Sequence, residues 1–222
     1  MFKTLKRDLK FIKENDPAAR NTLEIFLTYP GLHVLWGYRL SHKLWKSGFK
    51  LLARWISFWF RFLTGIEIHP AAVIKNRIFI DHGMGVVIGE TAEIHDNVII
   101  YQGATLGATS LEKGKRHPTI EKGTVIGAGA KILGPITIGA YSRIGANAVV
   151  LKSTPESAIV VGVPGQIILS HSTKRTEMPD TIGETLASAI KRLDKIENEL
   201  KITSKERFFQ KNGIWSEEDF SI

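Results

Sequence analysis

The sequence contains no cysteine, which excludes disulfide bonds and metal sites built from thiolates. Its first ten residues are rich in basic side chains and lack the apolar core of an export signal, so we expect a cytoplasmic protein. It also lacks a run of about 20 apolar residues, because Arg54 and Arg61 interrupt the most apolar stretch. We therefore expect no membrane-spanning helix and no membrane partner.

The 222 residues fall into three segments of different composition. Residues 1–65 hold 12 basic and 4 acidic side chains and 13 of the 20 aromatic residues, whereas residues 66–168 hold 14 of the 20 glycines. This contrast predicts a helical domain over 1–65, a repeat domain over 66–168, and a C-terminal helix with a flexible tail over 169–222. The basic residues of the first segment lie at helical spacing, which is typical of a solvated face, and we expect no nucleic-acid partner.

Apolar periodicity and chain breakers define the helices of the first segment. The pattern predicts helices over 2–14, 32–46 and 49–63, with a break at Pro30-Gly31 and a stop at Gly48. Between the first two, Asp16 is predicted as the N-cap of a further helix with Pro17 in its first turn.

The middle segment repeats an aliphatic residue every six positions. Neither the helical period of 3.6 nor the strand period of 2 produces this spacing, but a solenoid with three short flat faces per coil does. Three hexads make one coil, so the thirteen anchors predict a little over four coils. The anchors are Ile68, Ile74, Ile80, Ile88, Ile94, Ile100, Leu106, Ile120, Ile126, Ile132, Ile138, Ile144 and Val150.

The hexad period is interrupted twice. It gains two residues between positions 80 and 88 and eight residues between positions 106 and 120. Stacked coils accept extra residues only where these loop outward, so insertions are where function is expected. Each insertion carries a histidine beside a charged residue, Asp81-His82 in the first and Arg116-His117 in the second.

The repeat resembles that of the hexapeptide acyltransferases, and this resemblance implies an α+β protein whose repeat domain is a left-handed parallel β-helix. Within that superfamily, roughly residues 15–168 resemble the shorter serine O-acetyltransferases. The segments that carry the resemblance are 16–18 (DPA), 31–33 (GLH), 68–70 (IHP), 80–91 (IDHGMGVVIGET), 105–107 (TLG), 114–120 (GKRHPTI) and 161–165 (VGVPG).

The resemblance implies acetyl transfer from acetyl-CoA to the hydroxyl of L-serine, giving O-acetylserine for cysteine biosynthesis. A serine hydroxyl is a weak nucleophile that needs a base, and the resemblance assigns this role to His82. The family's partner carboxylate falls on Glu67, where the long members have aspartate. His117 is expected beside the hydroxyl and the developing oxyanion.

L-serine is a zwitterion, so a site that recognises it needs a positive group for its carboxylate and a negative group for its ammonium group. Arg116 can hold the substrate carboxylate through its guanidinium fork, and Asp81 and Asp16 can hold the ammonium group. L-cysteine, which has sulfur in place of the hydroxyl oxygen of serine, is expected from the family as a feedback inhibitor that binds at the serine site.

The family also implies where acetyl-CoA lies and how chains assemble. Its pantetheine is expected along Ala108, Thr109, Ala128 and Ala146, with Ala108 standing where the family has glycine. Active sites between adjacent subunits imply a homotrimer or a dimer of trimers. Some members dock O-acetylserine sulfhydrylase through a C-terminal isoleucine, and this chain ends in Ile222.

Three alternative functions share parts of this pattern. The acceptor can be another hydroxyl compound, such as a sugar, homoserine or a xenobiotic. A zinc-dependent carbonic anhydrase shares the repeat but needs two histidines five residues apart, and neither His82 nor His117 has such a neighbour, so no metal is expected. A non-enzymatic scaffold does not explain the two histidine insertions.

Overall fold

The computed structural model describes residues 2–168, 188, 190–193 and 195–196. The chain divides into two units, Met1–Arg175 and Thr176–Ile222. In the second unit the described residues are helical and fall within the segment 169–222, where a C-terminal helix is predicted. Ile222 and the predicted tail lie outside the described residues.

Four helices precede the repeat. They are α1 (Phe2–Asn15), α2 (Thr22–Thr28), α3 (Pro30–Lys46) and α4 (Lys50–Thr64). The predicted break falls between α2 and α3, with Pro30 as the first residue of α3 because its fixed φ suits a first helical turn. Gly65 ends α4 in the left-handed conformation, with φ of 69°.

The predicted helix start at Asp16 is wrong. The helix starts five residues later, with Asn21 as its N-cap, and the Asn21 side chain accepts from the backbone N–H of Glu24. Asp16 instead lies in a turn, and its Oδ1 accepts from the N–H of Ala18 at 2.8 Å. The other carboxylate oxygen of Asp16, Oδ2, can therefore accept a hydrogen bond from a residue outside this turn.

Helix α4 is apolar on two faces. Ala53 and Thr64 are buried on the inner face, while Leu51, Trp55 and Phe62 are exposed on the outer one. The helix has only 15 residues. Across the described part of the chain, no helix has both the length and the apolar character that a bilayer span requires.

The repeat folds as a parallel β-helix of very short strands. Each strand from β1 to β14 bonds in parallel to a strand one coil away, β15 turns back antiparallel on β14, and the strands form three flat faces. The first face contains β1, β4, β7, β10 and β13; the second contains β2, β5, β8 and β11; the third contains β3, β6, β9, β12, β14 and β15. The strands are β1 (Glu67–Ile68), β2 (Val73–Ile74), β3 (Phe79–Ile80), β4 (Val87–Ile88), β5 (Glu93–Ile94), β6 (Ile99–Ile100), β7 (Thr105–Gly107), β8 (Thr119–Ile120), β9 (Val125–Ile126), β10 (Lys131–Leu133), β11 (Thr137–Ile138), β12 (Arg143–Ile144), β13 (Val149–Val150), β14 (Ile159–Val161) and β15 (Gln166–Ile168).

The register confirms an eighteen-residue coil with two insertions. Val87 pairs with Thr105 and Lys131 with Val149, each eighteen residues apart. Glu67 pairs with Val87 across the two-residue insertion, and Thr105 pairs with Lys131 across the eight-residue insertion. Of the thirteen anchors, all but the half-buried Ile74 are buried in the core. Each fully buried aliphatic side chain stabilises the fold by about 1.5–3 kcal/mol.

Two corners of this three-sided coil carry the insertions. The turns from the third face to the first, at 81–86, 101–104, 127–130 and 145–148, form the His82 corner. The turns from the first face to the second, at 69–72, 89–92, 108–118 and 134–136, form the His117 corner.

Helix α3 lies against the β-helix at a glycine. A Cβ on Gly31 would stand 2.0 Å from the carbonyl oxygen of Ile80, which is buried and directly precedes Asp81 and His82. The absence of a side chain at Gly31 thus lets the helix reach the backbone that leads into the His82 corner.

This contact gives a test of the packing. Gly31→Ala should lower the free energy of unfolding by about 1–3 kcal/mol, because the added methyl overlaps a backbone atom. Alanine by itself favours a helix by about 1 kcal/mol over glycine, so the sign of the change is diagnostic. Urea unfolding measures it, with Lys43→Ala on the exposed side of α3 as the control. Equal stability of Gly31→Ala and the wild-type chain would contradict the packing.

Candidate active site

His82 is the central residue of a tight turn. The N–H of Gly83 donates to the carbonyl of Asp81 at 2.6 Å, and His82 itself has φ of 56°. Such a left-handed conformation is uncommon for a residue other than glycine and is found preferentially at functional sites. The side chain is 73% exposed, so the strained turn presents the imidazole to the outside of the β-helix.

The carboxylate of Asp81 lies near His82, and the carboxylate of Asp16 acts on Asp81 through its charge. Asp81 Oδ2 is 3.9 Å from His82 Nε2. Burial raises the pKa of the Asp81 carboxyl; His82 opposes this rise, and the negative charge of Asp16 adds to it. Helix α1 and the turn after it therefore bring Asp16 within electrostatic range of Asp81, although the two are 65 positions apart in the chain.

Tyr29 holds Asp16 in place. Its hydroxyl donates to Asp16 Oδ2 at 2.5 Å, and its ring stacks on Phe79 in β3. Burial and the bond to Asp16 raise the pKa of Tyr29 to about 12, so the hydroxyl keeps the proton that it donates. This group, the acidic cluster, consists of Asp16, Tyr29 and Asp81 and flanks His82.

Glu67, the predicted partner of His82, is engaged elsewhere. It opens β1 at the His82 corner, but its Oε2 lies 3.0 Å from Nη1 of Arg61 in the last turn of α4. The structure thus brings Glu67 to the expected corner, where, among the described residues, its side chain pairs with Arg61 and not with His82.

His117 occupies the next corner and is 8% exposed. Its Nδ1 lies 2.9 Å from Thr91 Oγ1 and 3.2 Å from the backbone nitrogen of Thr91. The ring fills the space beside Gly89, where a Cβ would stand 1.9 Å from its Cδ2. Burial lowers the pKa of His117, and the positive charge of Arg116 adds to this effect. The imidazole is therefore neutral near physiological pH.

Arg116 is oriented by a carboxylate. Its Nη2 lies 2.6 Å from Glu90 Oε2, and its backbone N–H donates to Thr91 Oγ1. Lys115 anchors the same loop, since its Nζ bonds to the carbonyl of Thr91 and to Glu93 Oε1. The long insertion is thus tied to the residues that follow β4.

A second neutral imidazole lies close to His117. Burial and the charges of Arg54 and Arg116 lower the pKa of His69 to about 4, against the opposing charge of Glu90. Its Nδ1 accepts from the N–H of Ala71, and its ring meets Trp45 edge-on at 5.1 Å. His69 therefore adds no positive charge to this corner.

The structure separates the predicted site residues into two groups. His82, Asp81 and Asp16 lie at the His82 corner, and Arg116 and His117 lie at the His117 corner. Within one chain, the first face of the β-helix stands between the two histidines.

The predicted acetyl-CoA residues divide in the same way. Ala108 and Thr109 line a cavity of about 710 Å³ at the His117 corner, together with Glu90 and Arg116. Ala128 and Ala146 lie one above the other at the His82 corner, where a Cβ on Gly127 would stand 2.6 Å from the nitrogen of Ala146. In the described ranges no three His, Asp or Glu side chains form a group that can hold a metal ion.

Sequence reasoning missed Tyr29, Glu90 and Thr91. Each acts through a contact between distant parts of the chain, 13 residues for Tyr29–Asp16 and 26 residues for Glu90–Arg116. A signal for Glu90 and Thr91 was present, because both belong to the segment 80–91 that carries the family resemblance.

Residues 117–152 match the family model for the bacterial transferase hexapeptide (six repeats). The parallel β-helix, with a histidine in each of its two insertions, defines the class as a hexapeptide-repeat acyltransferase. Over the full length of both chains, the sequence is 48% identical to a serine acetyltransferase of Mycobacterium tuberculosis, and over 95% of this chain and 99% of the relative it is 48% identical to one of Bacillus subtilis. The chain belongs to the serine acetyltransferase family.

Solved structures of this family share the fold. A serine acetyltransferase in complex with cysteine is 42% identical, with a TM-score of 0.74 over 75% of this chain and 69% of that one. The Neisseria gonorrhoeae enzyme in complex with serine is 40% identical, with a TM-score of 0.73 over 76% and 69%. A complex with CoA is 42% identical, with a TM-score of 0.72 over 75% and 69%. The predicted α+β class, with its left-handed parallel β-helix, is thereby confirmed.

Proposed function

We propose that this protein transfers the acetyl group of acetyl-CoA to the hydroxyl of L-serine at a site formed by two copies of the chain. One copy contributes the His82 corner and a second copy contributes the His117 corner. The observation that supports this proposal is the separation of the two histidines on different corners, each with half of the groups that a serine site requires.

Charge complementarity supports serine as the acceptor. The acidic cluster presents the carboxylates of Asp16 and Asp81, which suit an ammonium group. Arg116 uses one guanidinium nitrogen on Glu90, and its other N–H donors can take a carboxylate. The hydroxyl of a zwitterion held between these groups comes to lie between His82 and His117.

The chemistry then requires one base and one oxyanion donor. The serine hydroxyl oxygen attacks the thioester carbonyl carbon while His82 accepts the hydroxyl proton. The negative charge that develops on the carbonyl oxygen is stabilised by a donated hydrogen bond from His117. Collapse of the intermediate breaks the carbon–sulfur bond, and His82 returns the proton to the sulfur, which releases CoA and O-acetylserine.

Two carboxylates of this chain are candidates for stabilising the protonated form of His82. Asp81 is 3.9 Å from the imidazole Nε2, while Glu67 is paired with Arg61. We propose Glu67 as the partner once its side chain leaves Arg61, because 60% of the Arg61 side chain is exposed and that ion pair stabilises the fold little.

The same two corners suit acetyl-CoA and a trimer. A groove between copies would be lined by Ala108 and Thr109 from one chain and by Ala128 and Ala146 from the next. An interface between the His82 corner of one copy and the His117 corner of the next is heterologous, so that repeating it closes the copies into a ring. Because the coil has three sides, we expect three copies in this ring. We place this reaction in the cytoplasm, where acetyl-CoA is available, and we expect L-cysteine to compete with serine.

Loss of the base tests the activity. His82→Ala should reduce release of free CoA thiol by about 10²–10⁴-fold in the presence of serine, the usual effect of removing a general base. His95→Ala is the matched control, since His95 is a surface imidazole beside Glu121 at the third corner. Homoserine and a galactoside, assayed in parallel, identify a different acceptor. Unchanged turnover in a folded His82→Ala trimer would overturn the role of His82.

We also propose that the chain end docks O-acetylserine sulfhydrylase. A terminal isoleucine carboxylate resembles an amino-acid substrate, and residues 217–222 read EEDFSI. A peptide of residues 213–222 should bind the sulfhydrylase of the same organism and compete with O-acetylserine, measured by calorimetry. The same peptide without Ile222 is the control, and equal binding of both peptides would contradict docking through the terminus.

A further inference from the structure

The side chain of Thr91 makes three polar contacts with the long insertion. Its Oγ1 lies 3.0 Å from the backbone nitrogen of Arg116 and 3.1 Å from that of His117. It also lies 2.9 Å from Nδ1 of the His117 ring. Thr91 therefore touches the backbone and the side chain of the same histidine.

The number of hydrogens fixes the direction of these bonds. A hydroxyl has one hydrogen to donate and two lone pairs that accept. The backbone N–H groups of Arg116 and His117 are donors only, so together they occupy both lone pairs of Thr91. The hydroxyl hydrogen is left for His117 Nδ1, which must then be the acceptor.

A second donor reaches the same nitrogen. The backbone N–H of Thr91 points to His117 Nδ1 at 3.2 Å. A proton on Nδ1 would face two donors, and an imidazole has only two nitrogens on which to place its proton. The proton of the neutral ring therefore lies on Nε2, and among the described residues Nε2 has no hydrogen-bond partner.

We infer that Thr91 is a positioning residue that holds His117 as the Nε2–H tautomer, so that His117 can donate a hydrogen bond to substrate but cannot act as the base. This inference rests on the proposed function and divides its two histidines by role. The donor at His117 serves the acetyl oxygen, and proton abstraction falls to His82 alone.

The charges around His117 are consistent with a neutral donor. Arg116 and Lys115 lower its pKa, Glu90 raises it, and burial is the largest cause of the net decrease. His69, the other imidazole at this corner, is also neutral near physiological pH. A protonated Nδ1 would have to displace Thr91 from a position set by two backbone bonds.

Ring nitrogen NMR of the free full-length protein tests the tautomer directly. With ¹⁵N-labelled histidine, His117 should show a pyridine-type Nδ1 and a pyrrole-type Nε2 near physiological pH. The His117→Gln variant assigns the signals by their loss. A pyrrole-type Nδ1 in the wild-type protein would overturn the inference, whatever substrate the enzyme uses.

Two substitutions distinguish the hydrogen-bonding role of the Thr91 hydroxyl from a packing role of the Thr91 side chain. Thr91→Val keeps the shape and removes the hydroxyl, so that only the backbone N–H of residue 91 still donates to Nδ1. His117 should then show mixed tautomers, and kcat should fall by about 10–100-fold, the usual effect of losing an outer partner of a metal-binding imidazole. Thr91→Ser keeps the hydroxyl and should retain both the tautomer and most of kcat. The acidic limb of the kcat profile should report one group in the wild-type enzyme and two in Thr91→Val.

The outcomes distinguish this inference from the proposed function. Unchanged tautomer and kcat in Thr91→Val would overturn the role of Thr91, and failure of Thr91→Ser to retain the tautomer would overturn it equally. If Thr91→Val does not fold, the wild-type and Thr91→Ser spectra still decide. If serine is not acetylated but the Nε2–H tautomer is observed, the proposed function fails and the assignment of the tautomer stands.

Discussion

The stacking of aliphatic anchors inside the β-helix is the constraint on which the rest of the structure depends. Each inward side chain must lie above its equivalent one coil away, and every backbone bond between coils depends on that alignment. A strand of two residues offers few contacts of its own, so its position is defined by the coils on either side. Extra residues are therefore accepted only at the corners, and this is where His82 and His117 are found.

The two insertions hold their histidines in different ways. The short one bends the chain through a strained turn and exposes His82, whereas the long one returns to the β-helix and is fastened by Thr91, Glu90 and Glu93. One imidazole is therefore exposed to the outside of the β-helix, and the other is held in a fixed orientation. This division suits a reaction that needs a base and a donor at the same moment.

The fold could be predicted well from the sequence because its strongest signal, the six-residue aliphatic repeat, can be recognised without knowing which residues meet in space. Register, coil length and the corners that carry the insertions all follow from the positions of the anchors. The helices followed from breakers such as Pro30 and Gly48, but the Asp16 cap did not form, because Asn21 caps α2 and Tyr29 holds the Asp16 side chain. Contacts such as Glu67–Arg61 and Thr91–His117 depend on which side chains meet in space, and no spacing in the sequence reports that.

The central claim is the proposal that each site is shared between two copies, and mixed assemblies of the proposed trimer test it most directly. Trimers containing both His82→Ala chains and His117→Ala chains, separated by distinct tags, have one interface in three at which an intact His82 meets an intact His117. These trimers should therefore recover about one third of the wild-type rate of serine acetylation, while trimers of either variant alone stay inactive. If mixed trimers are as inactive as the parental variants, every site lies within a single chain and the shared site is wrong.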